Sequence, residues 1–244
     1  MASCEDPQPF RLKNKGATYL VTAQVPTETV SHNRCGEGMV LVHGDYCPQA
    51  IVECKTADDS RGVRICLEYK PSRCAGEKTH MEFCIDKYEW PNRKGELPIA
   101  WQTWHQAKSL CESRSERLCS DHEWTFACEG EAMKPYPYGD GLHRDHTACN
   151  TSKPWKDYTK TPRSQLYQGE PSGSFERCVS PWGVHDMPGN VDEWVVNSSG
   201  KPYVSGLKGG HASFVRNACR PMTDGHGPTF SLYETGFRCC KDAP

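Results

Sequence analysis

Apolar positions recur at helical spacing in two short stretches of the chain. In "TWHQAKSLCESR" (Thr103–Arg114), Trp104, Ala107, Leu110 and Cys111 follow three- and four-residue steps and predict a helix with one buried face. In "SDHEWTFACEG" (Ser120–Gly130), Ser120 stands where an N-cap belongs and Glu123 follows three residues later, the capping-box pattern. β-type runs occur at "MVLVHGDYC" from Met39 and at "MEFCIDKYEW" from Met81, each predicting a strand that leads into a turn or loop. Residues 1–35 are polar, carry Pro7, Pro9 and Pro26, and predict an extension with at most one strand, "ATYLVTAQV". Residues 130–180 show little periodicity; so long a loop in a compact domain is expected to be functional or held by ions or disulfides. No internal repeat is present. The pattern predicts an α+β, loop-rich domain over 36–244, with a cysteine-rich insertion at about 47–84.

Composition sharpens this. The 244 residues carry 21 Gly and 18 Pro, are 36% hydrophobic and have a formal net charge of −2. No basic stripe points to nucleic acid, and no apolar run approaches the roughly 20 residues that span a bilayer. The fifteen cysteines run from Cys4 to Cys240 without a C-x2-C pair, so disulfides are expected rather than zinc knuckles. Fifteen is odd, which leaves at least one cysteine free, modified or paired between chains. Disulfides place the protein outside the cytoplasm: periplasmic, at the cell surface or secreted. No apolar export signal precedes Cys4, which suggests a mature or truncated form. The opening "ASC" also matches the end of a lipoprotein cleavage box, with a lipid anchor on Cys4 as one reading and a chance tripeptide as the other.

From Met39 onward, specific motifs appear in a fixed order: "MVLV", "FCIDKYEWPN", "PIAWQTWHQAKSLC", "SERLCSDHEWTFACEG", "YPYGD", "CNTS", "WGVHDMPGNVDEW", "LKGG" and "GFRC". In these the chain resembles the formylglycine-generating enzyme (sulfatase-modifying factor) family. The resemblance implies a single irregular α+β domain, a divergent relative of the C-type lectin fold. Enzymes of that family oxidise a substrate cysteine with copper held by two cysteines after the "GG", since soft thiolates select Cu(I). It also implies two structural disulfides, Cys111–Cys239 and Cys128–Cys219. Counting forward from Gly209 instead would put Cys219 on the second copper position, with Phe214 on the first. In either register the copper pair is missing, and the serine that follows "GG" in active members is His211 here.

The resemblance further implies a calcium loop in "HDMPGNVDEW", with side chains from Asp186 and Glu193 and carbonyls from Gly189 and Val191; the alternative is an Asn/Asp-rich turn capped by its own side chains. A second calcium set would start at Asn150 and the Thr151 carbonyl, with Asp157 as its candidate carboxylate. The cleft segment offers His211, Arg216, Cys219, Arg220, Asp224 and His226. Two histidines and a carboxylate suit Fe or Zn, or acid–base work, and arginines suit an anionic ligand; the plain alternatives are solvated histidines and structural ion pairs. Trp124 and Trp194 are expected in the core, Trp155 and Tyr158 in loop packing or against a partner, and the sequons at Asn150 and Asn197 are taken as chance.

The resulting expectation is an exported, calcium-stabilised member of the family without the copper-thiolate site. It would serve as a binding or accessory module for a small molecule, peptide or protein. The rival is an oxidoreductase with a relocated Fe or Cu centre in the cleft of residues 209–228. Formylglycine generation would require a different pair of free thiols.

Overall fold

The first strand, β1 (Met39–Tyr46), buries Val42 and Tyr46 on one face and Met39 on the other. The structure is a computed structural model that describes residues 34–60, 62 and 64–244. The strand expected at residues 17–25, the N-terminal prolines and Cys4 lie outside these residues. After β1 come β2 (Ala50–Ile51), β3 (Cys54–Asp58), β4 (Ile65–Tyr69), β5 (Arg73–Cys74) and β6 (Thr79–Asp86). β1 pairs antiparallel with β6, from Met39↔Asp86 to Tyr46↔Thr79.

β2–β5 form the insertion as two small antiparallel pairs, β2 with β5 and β3 with β4. Their residues are mostly exposed or half-buried, so two disulfides, Cys47–Cys74 and Cys54–Cys66, stand in for a hydrophobic core. Of the five cysteines between 47 and 84, Cys84 does not belong to this unit. It lies on β6 and is bonded to Cys35. The two disulfides inside the insertion lie within residues 47–74, and Cys84 ties β6 to Cys35 instead.

The two helices form where periodicity and capping predict them. α1 (Trp104–Glu112) is capped by Thr103, whose hydroxyl accepts from the Gln106 amide while the Gln106 side chain accepts from the Thr103 amide. After β7 (Arg117–Leu118), α2 (Asp121–Glu129) carries the expected Ser120–Glu123 capping box. These reciprocal bonds satisfy N–H groups that the helix leaves open. α2 is buried from Glu123 to Glu129, with Trp124 fully enclosed.

The remaining strands are β8 (Asp192–Val196), β9 (Ser205–Lys208), β10 (Met222–Thr223), β11 (Thr235–Phe237) and β12 (Cys239–Asp242). One four-stranded sheet runs β1-β6-β12-β7 and the other β10-β9-β8-β11, with β11 parallel to β8. The long loop after α2 holds its course through the Cys149–Cys178 disulfide and a cluster around Tyr136 and Tyr138. Cys239 and Cys240, at the start of β12, bond to Cys111 on α1 and Cys119 beside β7.

Between β11 and β12 sits Arg238, fully buried against Glu193 of β8. Its Nε and Nη2 each donate to a Glu193 carboxylate oxygen at 2.7 Å. Nη1 donates to the Asp86 carbonyl at the end of β6, Nη2 also to the His185 carbonyl, and Trp124 Nε1 donates to Glu193 at 2.9 Å. One ion pair thus joins both sheets and α2. Removing a single partner strands a buried charge. Arg238→Met is expected to lower the unfolding free energy by about 3–5 kcal/mol in urea denaturation. Loss of the exposed Arg93–Glu96 pair is expected to cost under about 1 kcal/mol. Equal effects of the two would contradict the central role of Arg238.

Candidate functional site

β9 ends at Lys208 and turns sharply through Gly209 and Gly210, with φ of 86° and 69°. A Cβ at Gly209 would lie 2.3 Å from the Met187 carbonyl oxygen, so the turn has room only for glycine. The turn points the chain inward and buries His211 to 7% exposure. Asn217 holds the outgoing loop by donating to the His211 carbonyl at 2.7 Å, and the Gly210 amide donates to Asp192. Asp192, the first residue of β8, also accepts from Arg216 Nη2 at 2.8 and 3.1 Å. His211 Nε2 lies 3.5 Å from Glu234 Oε2, and its ring stands edge-on to Tyr233.

His211, Arg216, Asp192 and Glu234 form one polar cluster at the position the "GG" motif marks. Between His211, Glu234, Tyr233, Tyr167 and Gln168 lies a cavity of only about 10 Å³, room for at most a single water. Burial is the main force on the Glu234 carboxyl and raises it to about 7, with Asp192 adding like charge and Tyr233 and Arg216 opposing. Burial also lowers His211; Asp192 counters this and Arg216 reinforces it. Glu234 Oε2 is buried without a hydrogen-bond partner, so the His211–Glu234 approach is a close contact rather than a bonded pair. Within the cluster, the Glu234 carboxyl is the group whose proton is held up to near neutral pH.

The other expected cleft residues go elsewhere. Cys219 is fully buried and bonded to Cys128, the register in which it is a staple rather than a copper ligand. It cannot act as a catalytic thiol. Arg220 donates from Nε to buried Glu129 at 2.7 Å and from Nη2 to the Cys47 carbonyl, pinning the insertion to α2. His226 stacks on Phe230 at 3.9 Å, and Asp224 is exposed. Among the described residues, no group of three His, Cys, Asp or Glu ligand atoms within 4.8 Å of one another includes His211 or His226. The one such group, Asp86, Glu116 and Cys239, has its sulfur in a disulfide and both carboxylates on Arg114. Sequence reasoning missed Asp192 and Glu234.

In the expected calcium loop, Asp186 and Asn190 take positive φ of 60° and Gly189 of 94°, a tight irregular course. Asp186, Glu193 and Glu89 are all buried there, and Arg238 is ion-paired with Glu193 among them. Burial is the main force raising the Asp186 carboxyl to about 6 and Glu89 well above its usual range. An excess of buried carboxylates suits a hard divalent cation in both charge and donor type. Arg238 and Trp124 supply three hydrogen bonds to Glu193, leaving that carboxylate little spare capacity.

The second set fits less well. Asn150 donates to Gln168 and Asn190, and the Thr151 carbonyl already accepts from Arg144. Asp157 caps its own turn at Thr159. Both sequon asparagines, Asn150 and Asn197, are buried, whereas Trp155 and Tyr158 are exposed rather than packed.

The raised Glu234 carboxyl sets the sign of a pH effect. The folded state keeps a proton that the unfolded chain releases near 4.5, so this stabilisation is full below pH 4.5 and is lost as pH rises through 7. Glu234→Gln is expected to match the parent near pH 4.5 and to exceed it above pH 7 by about 1–3 kcal/mol, checked by denaturation across pH. A difference independent of pH would show that Glu234 is not held in this state.

Comparison with known proteins places this geometry. A family model described as "Sulfatase-modifying factor enzyme 1-like domain" matches residues 53–243. The "Inactive C-alpha-formylglycine-generating enzyme 2" of Bos taurus is 26% identical over 175 residues, covering 62% of this chain and 52% of that protein. The same protein of Mus musculus is 26% identical over 164 residues, covering 62% of this chain and 51% of its own length. The match thus spans about half the length of these curated relatives. The crystal structure of CarF superposes with a TM-score of 0.56 at 16% identity, covering 84% of this chain and 98% of that one. PvdO from Pseudomonas aeruginosa gives 0.51 at 16%, covering 84% and 94%. At these identities the structural likeness is one of fold: an irregular, disulfide-stapled α+β domain of the formylglycine-generating-enzyme type. With the motif order and the family match over most of its length, the chain belongs to the sulfatase-modifying factor enzyme 1-like domain family.

Proposed function

We propose that this chain is a member of the family without copper oxidase chemistry, working outside the cytoplasm as a calcium-stabilised binding or accessory module. The observation that carries this reading is the state of its cysteines. All fourteen among the described residues are in disulfides, including Cys219, the one cysteine of the segment after Gly209–Gly210. No thiolate pair is available there to hold Cu(I). His211, Asp192, Arg216 and Glu234 stand in its place. Seven disulfides agree with an oxidising compartment. Among the described residues no helix is long and apolar enough to cross a membrane. The two mammalian relatives named above carry the word inactive in their names, which points the same way.

Asp186, with the Gly189 and Val191 carbonyls, would hold the calcium; Glu193, already bonded to Arg238 and Trp124, would add charge and at most a remaining lone pair, and the cation would offset the buried carboxylates. The small volume at His211 means that the cluster meets a group presented at its mouth rather than enclosing a whole molecule. The rival reading, a relocated Fe or Cu centre using His211 and His226, gains no support, since among the described residues no group of three close ligand atoms includes either histidine.

Metal analysis of tag-free protein tests the proposal. Stoichiometric calcium without stoichiometric copper or iron is expected. Calcium in roughly hundredfold excess over Kd should raise Tm by about 5–10 °C, and Asp186→Asn should remove that rise. Stoichiometric copper or iron would overturn the reading, and a Tm indifferent to calcium and to chelator would remove its calcium part.

A further inference from the structure

A second cavity, of about 190 Å³, lies between the insertion and the segment after the "GG" turn. Its lining includes Arg64, Arg144, Arg216, Tyr69, Tyr136 and Pro221. Three guanidinium groups on one small cavity is an unusual concentration of positive charge for a protein with a formal net charge of −2. What partners those groups have decides what the cavity does.

Arg144 has no carboxylate within ion-pair distance among the described residues. Its acceptors are the Val215 and Thr151 carbonyls and the Asn217 amide oxygen, all neutral. These three bonds, together with the Phe214 ring 4.4 Å from the guanidinium, hold it in place. Arg144 Nε is buried without an acceptor. Arg216 gives Nη2 to Asp192, and its Nε is likewise buried without an acceptor. Arg64 completes the set from the insertion side; its partner Asp59 lies 3.2 Å away and both side chains are largely exposed, so solvent screens that pair. Buried polar groups in native proteins are almost always bonded, and two of the arginines that line this cavity each keep a buried Nε–H without an acceptor.

The walls are fixed before any ligand arrives. Tyr136 donates to the Cys66 carbonyl at 2.6 Å, the Arg144 amide to the Leu67 carbonyl, and the Tyr69 amide to the Leu142 carbonyl. The Cys54–Cys66 disulfide holds the two insertion strands together beside them. Tyr69 and Tyr136 meet edge-on at 5.5 Å and supply an apolar wall. Such pre-organisation lowers the ordering cost of binding.

We propose that this cavity is a binding site for a small oxyanion, a sulfate, phosphate or carboxylate group, held by Arg64, Arg144 and Arg216. The planar guanidinium fork matches all three groups in geometry. The volume, roughly that of six waters, admits the anionic group with a few further heavy atoms against the tyrosines. The site does not rest on the reading of the His211 cluster; Arg216 is the residue the two have in common, and the calcium and copper results leave it untouched.

The test is titration of the full chain with sodium sulfate and with sodium benzoate, with sodium chloride at matched ionic strength as the control. The readout is the arginine Nε–H resonances by NMR. Saturable shifts with sulfate or benzoate, absent with chloride, are expected; tighter sulfate binding assigns a tetrahedral oxyanion, and tighter benzoate binding a carboxylate on a flat body. Arg144→Lys should weaken binding about tenfold, the loss of one charge-assisted hydrogen bond. Arg64→Ala, at an exposed position that leaves the fold intact, should weaken it several-fold, and Arg93→Ala should leave it unchanged. Shifts that follow ionic strength alone, or affinity unchanged in Arg64→Ala, would overturn the proposal even if Arg144→Lys failed to fold.

Discussion

The structure depends on one buried ion pair, Arg238 with Glu193. Both side chains are wholly removed from water, which is tolerable only because the carboxylate accepts three hydrogen bonds and the guanidinium has both Glu193 oxygens and backbone carbonyls as acceptors. Arg238 is flanked by Phe237, packed in the core, and by Cys239 and Cys240, bonded to α1 and to the segment before α2. The "GFRCC" sequence therefore ties both sheets and both helices at one point. With so little regular secondary structure, the interior is organised around charge and sulfur as much as around apolar packing.

That organisation explains how the scaffold persists with the one cysteine after Gly209–Gly210 tied up as a staple. The expected calcium loop and the Gly209–Gly210 turn lie back to back, with the Gly189 amide donating to the Gly209 carbonyl at 3.0 Å. Asn190 bridges Glu89 and Asn150 across the same region. None of these contacts uses a copper ligand. The Cys128–Cys219 bond anchors the far end of the segment, so the intervening residues can change character while both ends stay fixed. His211 and Arg216 occupy that stretch, and the carboxylates of Asp192 and Glu234 balance them.

Local features were legible in the sequence. Both helices follow from apolar spacing and caps, and β1 and β6 fall on the β-type runs, with β1 starting at Met39 as read and β6 starting two residues before Met81 and stopping at Asp86. Cys111–Cys239 and Cys128–Cys219 were legible only through the ordered family motifs, since cysteine spacing alone leaves many pairings open. The Cys35–Cys84 bond was not legible, because nothing near Cys84 shows that its partner is Cys35. Asp192 and Glu234 escaped for a related reason. They sit 42 positions apart and meet through the parallel pairing of β11 with β8, where the Asp192 amide donates to the Glu234 carbonyl at 2.7 Å. Such non-local pairing leaves no signature in either segment. Arg220 and His226 were misplaced because their sequence neighbourhood is shared with His211 while their partners, Glu129 and Phe230, are not.

The central claim is that the scaffold is kept while the thiolate pair is gone, and disulfide mapping tests it most directly. The protein would be digested under denaturing, non-reducing conditions with free thiols blocked, and the linked peptides identified by mass spectrometry. The account predicts a peptide linking Cys128 to Cys219, and blocking agent on no cysteine other than Cys4. A blocked Cys219, or a second free cysteine among residues 34–244, would contradict it and restore a thiol to the cleft.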